Sequence, residues 1–273
     1  MLLVHGIPTS SWLYRGVAVR LAAAGVRAIA PDLLGFGASD KPSERTVYST
    51  RRQANRLVAL LDHLELPQAT FVVHDAGGPW SFELVDRRPE RIAGLVVLNT
   101  TAYADAFNPP RDVRALGGPM GPGMLRLMQS SIGKRLVHRM LSGLTHRGKS
   151  LGSEATDVHW HALREGGTSA LRAFAQDLEP FMAQFPRYAD ALRRIDVPAT
   201  VIWGADDPVL RPERLVDRFA QDLRIPPGAV HILANASHFL QEDRPDEIAD
   251  LVARFVSEQI APRAAVTRAS TGR

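Results

Sequence analysis

The sequence predicts an α/β fold, a mostly parallel sheet with helices on both faces. Three features carry that expectation. Short apolar runs alternate with longer stretches of helical periodicity. The apolar runs are nearly continuous, as in strands covered on both sides. Acidic residues follow directly on two of the runs, at Asp75 and at Asp206-Asp207, where open α/β sheets place their sites.

In chain order the strand candidates are Leu2–Val4, Val26–Ala30, Ala69–Val73, Leu95–Leu98, Ala199–Trp203 and Ala229–Leu233. Between and after them, Ser11–Ala24, Arg51–Leu64, Pro79–Arg88, Arg211–Leu223 and Pro245–Ser257 read as helices. Gly25 suits the C-cap of the first. Leu57, Leu60, Leu61 and Leu64 repeat at helical spacing and read as core.

The rhythm breaks between Tyr103 and Arg194. This stretch has no clear strand, but helical runs such as Met124–Leu141 and Ser169–Leu178. The Gly/Pro-rich run Gly117–Gly123 lacks the Lys-Ser/Thr of a phosphate loop and reads as a flexible hinge. The expected organisation is a sheet domain over 1–102 and 195–261, a helical lid over 103–194, and a disordered basic tail over 262–273.

Composition excludes several classes. A chain of 273 residues with 45% hydrophobic content can bury a sizeable core. No apolar run reaches the roughly 18 residues of a membrane span, and no secretory leader is recognisable. With no cysteine, disulfides and thiolate catalysis are excluded. A cytoplasmic location is the expectation, with no membrane partner. The net charge of +4 is spread along the chain, and pairs such as Arg51-Arg52, Arg87-Arg88 and Arg193-Arg194 look like solvated helix faces. A nucleic-acid partner is therefore not expected. His159-x-His161 has no carboxylate partner in a ligand motif, so neither a metal nor another cofactor is expected.

The strongest chemical signal is Phe71-Val72-Val73-His74-Asp75-Ala76-Gly77-Gly78. An apolar strand runs into one acid, then small residues, then a helix. A sharp strand-to-helix turn needs small neighbours, and it projects its apex side chain at a helix N-terminus. Asp75 stands where the G-x-S-x-G elbow carries serine. By itself the segment fits an N-capping aspartate equally well. Two later segments shift the balance. The strand Val201–Trp203 ends in Gly204-Ala205-Asp206-Asp207-Pro208, and His238 lies in the loop after the last strand. Nucleophile, acid and histidine then follow in triad order. Asp207, directly before Pro208, is the favoured acid, with Asp206 free to cap the turn. The loop His5-Gly6-Ile7 offers the Ile7 N–H as one oxyanion donor, with the Ala76 N–H as the second. His5 reads as a residue that orders this loop.

These stretches resemble the α/β-hydrolase superfamily, and within it the aspartate-nucleophile branch of haloalkane dehalogenases and epoxide hydrolases. The resemblance rests on HGIPTSSWLYR (5–15), PDLLGFGASDKP (31–42), VVHDAGG (72–78), RRPERIAGLVVLN (87–99), WGADDPVL (203–210) and ASHFLQEDRPDEIA (236–249). The wording is nearer the dehalogenases, and the lid is not covered. The resemblance implies an α/β-hydrolase fold with a helical cap, a small apolar organic substrate, and water as co-substrate. The family usually has two strands before the HGxP strand, where this chain begins, so those strands are expected to be missing.

The departures are specific. The dehalogenase Trp after the nucleophile is Ala76, and the HGxP-loop Asn is Ile7. Trp160 and Trp80 are the replacement leaving-group contacts to consider, against a plain packing role for both. Epoxide hydrolases use two lid tyrosines, for which only Tyr103 and Tyr188 are at hand. The arginines that fluoroacetate dehalogenases carry near the elbow are absent at Ala76 and Pro79, and the His159-Trp160 dipeptide transfers no role. The expectation is a hydrolase of haloalkane dehalogenase type, with an epoxide hydrolase as alternative and a non-catalytic binding scaffold as a further one.

Overall fold

Five strands form one sheet in the order β1-β2-β3-β4-β5, with every neighbouring pair parallel. They are β1 (Leu2–Val4), β2 (Ala69–Asp75), β3 (Ile92–Thr100), β4 (Ala199–Gly204) and β5 (Val230–Leu233). The structure is a computed structural model that describes residues 1–146 and 151–263. The helices before β4 are α1 (Arg15–Ala23), α2 (Thr50–His63), α3 (Gly77–Arg87), α4 (Arg111–Gly117), α5 (Gly121–Gln129), α6 (Ser131–Ser142), α7 (Ser153–Ala162), α8 (Thr168–Gln176), α9 (Leu178–Met182) and α10 (Phe185–Arg194). After β4 come α11 (Pro212–Asp222), α12 (Leu240–Asp243) and α13 (Pro245–Phe255).

The two-residue pleat sorts each strand's side chains between two cores. Leu2, Val4, Phe71, Val73, Leu95, Val97, Val201 and Trp203 face one core, with Leu57, Leu61, Phe82 and Phe219 from the helices. Leu3, Val72, Val96, Leu98, Ile202 and Leu233 face the other, closed by Val17 and Leu21 of α1 and by Ile248, Val252 and Phe255 of α13. This explains the continuous apolar runs of β1 to β4, which are covered on both faces, while the edge strand β5 leaves Ile232 exposed.

Four expectations need correction. Val26–Ala30 forms no strand. It makes a single bridge, Ile29 to Leu2, with hydrogen bonds Leu3 N–H to Ile29 O and Ile29 N–H to Met1 O. Pro31 follows directly and has no N–H to extend the ladder. Gly117–Gly123 is a close helix joint, not an open hinge: α4 ends at Gly117, and a Cβ on Gly121 would collide with the Leu116 carbonyl. Met124–Leu141 is two helices, divided where the Ser130 hydroxyl caps α6 by accepting from the Gly133 N–H at 3.0 Å. The chain remains helical at 262–263, the first two residues of the stretch expected to be disordered. The rest of that expected tail lies outside the described residues.

Candidate active site

β2 ends at Asp75, whose φ of 50° lies in the left-handed region that non-glycine residues rarely occupy. The reversal sends the chain directly into α3. It is tolerated because the neighbours are small: a Cβ on Gly77 would press on the carbonyls of Val4 and His5, and one on Gly78 would strike Thr100. The Thr100 hydroxyl donates to the Asp75 carbonyl at 2.6 Å and ties the elbow to β3.

The β1 loop approaches the same point. The Ile7 N–H donates to Asp75 Oδ1 at 2.7 Å, a path open only because Gly6 has no side chain to meet the carboxylate. His5 is buried beneath. Its Nε2 accepts from the Leu33 N–H at 3.1 Å, and its Nδ1 reaches the Gly6 carbonyl at 2.8 Å. Burial lowers its pKa and keeps it neutral, which suits a residue that orders the loop. Ala76 is the N-cap of α3, directly after Asp75.

Asp207 and His238 arrive from the ends of β4 and β5. His238 Nδ1 lies 2.9 Å from Asp207 Oδ2, and its Nε2 lies 3.7 Å from Asp75 Oδ2. Asp207 is fully engaged. Its Oδ1 accepts from the Val209 and Leu210 amides at 2.8 and 2.9 Å, and its Oδ2 also accepts from Asn99 Nδ2 at 2.7 Å. Both His238 and Asp207 are buried, while Asp75 keeps part of its side chain exposed. Burial disfavours the imidazolium, but the Asp207 charge and hydrogen bond, with Asp75 beyond, outweigh it and hold the His238 pKa above its ordinary value. Asp206, the other acid of the pair, turns outward and meets His146 Nδ1 at 2.9 Å.

Two residues that sequence reasoning passed over complete the frame. Asn99, at the end of β3, donates to Asp207 and to the Ser237 carbonyl at 3.0 Å, and its Oδ1 accepts from the Gly204 N–H at 2.9 Å. His74 donates from Nε2 to the His238 carbonyl at 2.9 Å. Its pKa is driven well down by burial and then by the His238 charge, so it stays neutral. The one signal for either in the sequence was position, at the carboxyl end of a central strand.

The four proposed leaving-group contacts separate. The Trp160 N–H donates to the Met128 carbonyl at 2.9 Å, so it is committed between α7 and α5. The Tyr103 hydroxyl donates to Asp222 on α11, and the Tyr188 hydroxyl to Glu83 on α3, each at 2.9 Å. Burial and those carboxylates push both phenol pKa values up. Neither phenol is the free proton donor that an opening epoxide needs. Trp80 is buried, with its ring 5.9 Å from that of Phe36. The Trp12 Nε1–H, in the β1 loop, is buried and without a partner among the described residues.

A parallel sheet, a carboxylate on a strained elbow, an acid and histidine after the next strands, and an amide from the first loop define an α/β hydrolase. The family profile of the alpha/beta hydrolase fold matches residues 1–245, and the chain belongs to that family as a hydrolase of its haloalkane dehalogenase and epoxide hydrolase-like branch. It is 32% identical over 263 residues to haloalkane dehalogenase 2 of Mycobacterium tuberculosis (strain ATCC 25618 / H37Rv), covering 93% of this chain and 87% of the relative. It is 31% identical to a haloalkane dehalogenase of Psychrobacter cryohalolentis, over 94% of this chain and 83% of that one. Haloalkane dehalogenase DbeA from Bradyrhizobium elkani superposes with a TM-score of 0.77 at 28% identity, over 94% of this chain and 89% of that one. The epoxide hydrolase CorEH superposes at 0.74 with 19% identity, over 94% and 90% of the two chains, and shares the fold.

Proposed function

We propose that Asp75 is the nucleophile of a haloalkane dehalogenase-type hydrolase acting on small apolar organic halides. One observation carries the reading. His238 sits between Asp207 and Asp75, bonded to the first at 2.9 Å and 3.7 Å from the second. At 3.7 Å the imidazole is beyond direct hydrogen-bond reach of Asp75. That gap supports a role for His238 on a water molecule at the Asp75 ester.

The steps follow from the two oxygens of Asp75. Oδ1 is held by the Ile7 amide, which leaves Oδ2 to attack the saturated carbon. The C–O bond forms as the C–halogen bond breaks, and the halide leaves with the electron pair. His238 Nε2 then takes a proton from water, and the hydroxide adds to Cγ of the Asp75 ester. Negative charge develops on Oδ1 against the Ile7 amide, with the Ala76 amide as second donor. Collapse releases the alcohol and restores the carboxylate. Attack on a carboxylic ester would instead form an anhydride, so ordinary esterase chemistry is disfavoured.

Leaving-group donors must come from outside the usual positions, since the side chains of Ile7 and Ala76 are apolar. The Trp12 indole N–H, buried without a partner among the described residues, and Trp80 on α3 are the replacements we assign. The carboxylate-bound hydroxyls of Tyr103 and Tyr188 favour this reading over epoxide opening.

The test is intact mass measurement of His238→Phe after incubation with bromoalkanes or epoxides in separate reactions. Without the base the ester accumulates. An added alkyl mass on Asp75 is the expected result. An added hydroxyalkyl mass establishes epoxide opening in its place. No adduct with either class counts against Asp75 as the nucleophile.

A further inference from the structure

The outer face of α5 and α6 combines two features that rarely occur together on a free surface. Met120, Leu127, Ile132 and Leu136 are 76%, 47%, 76% and 50% exposed, and among the described residues only Val19 and Ile232 are other large apolar side chains of this kind. The charged side chains of α5 and α6 themselves have one sign. Between Asp112 and Glu154 the sequence contains no acidic residue, while Arg126, Arg135 and Arg139 stand exposed among the apolar side chains. None of these three arginines has an ion-pair partner among the described residues. Lys134, by contrast, pairs with Asp157 and lies over the Trp160 ring.

The face is built by the fold. Leu125, Met128, Val137 and Leu141 point into the core, and Gly133 lets α6 cross tight against the backbone of Leu127. That leaves Ile132 and Leu136 one turn apart on the outer side, with Arg135 and Arg139 interleaved. Just beyond α6, the Leu144 carbonyl accepts from the Phe239 N–H at 2.8 Å, next to His238. That bond ties the segment after α6 to the loop that carries His238.

We propose that this face docks on an anionic phospholipid bilayer, lying in the interface without crossing it. Arginines meet the headgroup charge while the four apolar side chains enter the acyl boundary. Charge decides against the other occupants. A second copy of this chain seated on the same face would bring like charges together. A nucleic acid would meet the arginines but leave exposed aliphatic side chains in water. The expectation of no membrane partner rested on spanning segments alone, and no helix among the described residues is long and apolar enough to span. The docking does not depend on the assignment of Asp75. It would bring an apolar substrate dissolved in the bilayer to the lid side of the site.

The experiment is co-sedimentation of the full chain with phosphatidylcholine vesicles, with and without phosphatidylglycerol. Wild type, Arg135→Glu/Arg139→Glu and Ile132→Ser/Leu136→Ser are compared, with circular dichroism and elution volume checking the fold. Wild type is expected to bind only the vesicles with phosphatidylglycerol and to be released at about 0.5 M salt. Each basic residue near such a surface is worth about fivefold in affinity, so the double charge reversal should weaken binding at least tenfold. The apolar double variant should also bind more weakly at unchanged charge. No binding of wild type at low salt overturns the proposal. So does binding that the serine variant leaves intact, which would be adsorption by charge alone. A wild-type dimer that the serine variant dissolves, without vesicle binding, would make the face a self-association surface instead.

Discussion

His238 is held from several directions by groups distant in sequence. Asp207 takes its Nδ1, His74 takes its carbonyl, and Asn99 bonds Asp207 together with the neighbouring Ser237 carbonyl. The arrangement sets tautomer and pKa together. Nδ1–H faces Asp207, so Nε2 is the basic nitrogen toward Asp75. The His238 pKa lies above its ordinary value, and only the neutral ring can accept a proton from water. Turnover limited by ester hydrolysis should therefore fall as pH drops through that raised pKa. In Asp207→Asn the main favourable charge is gone, and the acid limb should move to lower pH. The rate at the plateau should fall by up to about 10⁴-fold as the tautomer is lost. A pH profile of kcat checks both, and an unmoved limb would remove Asp207 from the mechanism.

At the scale of elements, the site depends on close backbone approach. The β1 loop can place the Ile7 amide on Asp75 only because Gly6 lacks a Cβ. Gly6→Ala should force the loop or the carboxylate to shift while leaving the buried helices and strands intact. Turnover should fall roughly 10²-fold or more, the loss typical of one oxyanion donor, with circular dichroism unchanged. A fully active Gly6→Ala would show that the Ile7 amide is dispensable. The same closeness governs the stretch after β3. The Ser130 cap divides an apparently continuous helical pattern into α5 and α6, a division that creates the outer cationic face.

Across the whole molecule, acid is expected to be the weak side. His5, His74 and His159 are buried, and burial lowers each pKa, that of His159 to about 4. The native state keeps them neutral while the unfolded chain takes up protons below about pH 6.5. Their stabilising contribution is thus present above pH 6.5 and is lost as pH falls toward the lowered folded values. His238 acts in the opposite sense, since its raised pKa favours folding most below pH 6.5 and less above its folded value. With His231, whose pKa burial also lowers, four groups oppose one, so Tm should drop from pH 7 to pH 5, by an amount that His159→Gln reduces. Calorimetry at the two values checks this, and an equal Tm at both would contradict the assignment of buried neutral histidines. The same scale shows how the stretch after β3 is tied to the site. His146 bonds Asp206 through its ring and the Asp243 carboxylate through its N–H, while Asp243 also accepts from Ser237 N–H.

Local chemistry was legible along the chain. Apolar runs marked the strands, and β1 to β5 stand within a few residues of where those runs lie, although the run Val26–Ala30 makes only a bridge and β5 is covered on one face alone. The small residues after Asp75 marked a turn too tight for side chains. Pro208 beside Asp207 and the loop around His238 gave two further residues that the fold brings together. What the chain order could not reveal was partnership between distant polar groups. Asn99 meets Asp207 across 108 positions, and no pattern along β3 distinguishes it from a solvent-facing amide. Trp160, Tyr103 and Tyr188 had the right chemistry for a leaving group, but each spends its hydrogen on an acceptor set by helix packing. Periodicity and steric demand act between neighbours in the chain and can be read from it. The pairing of a buried donor with its acceptor is decided by which surfaces the folded elements press together.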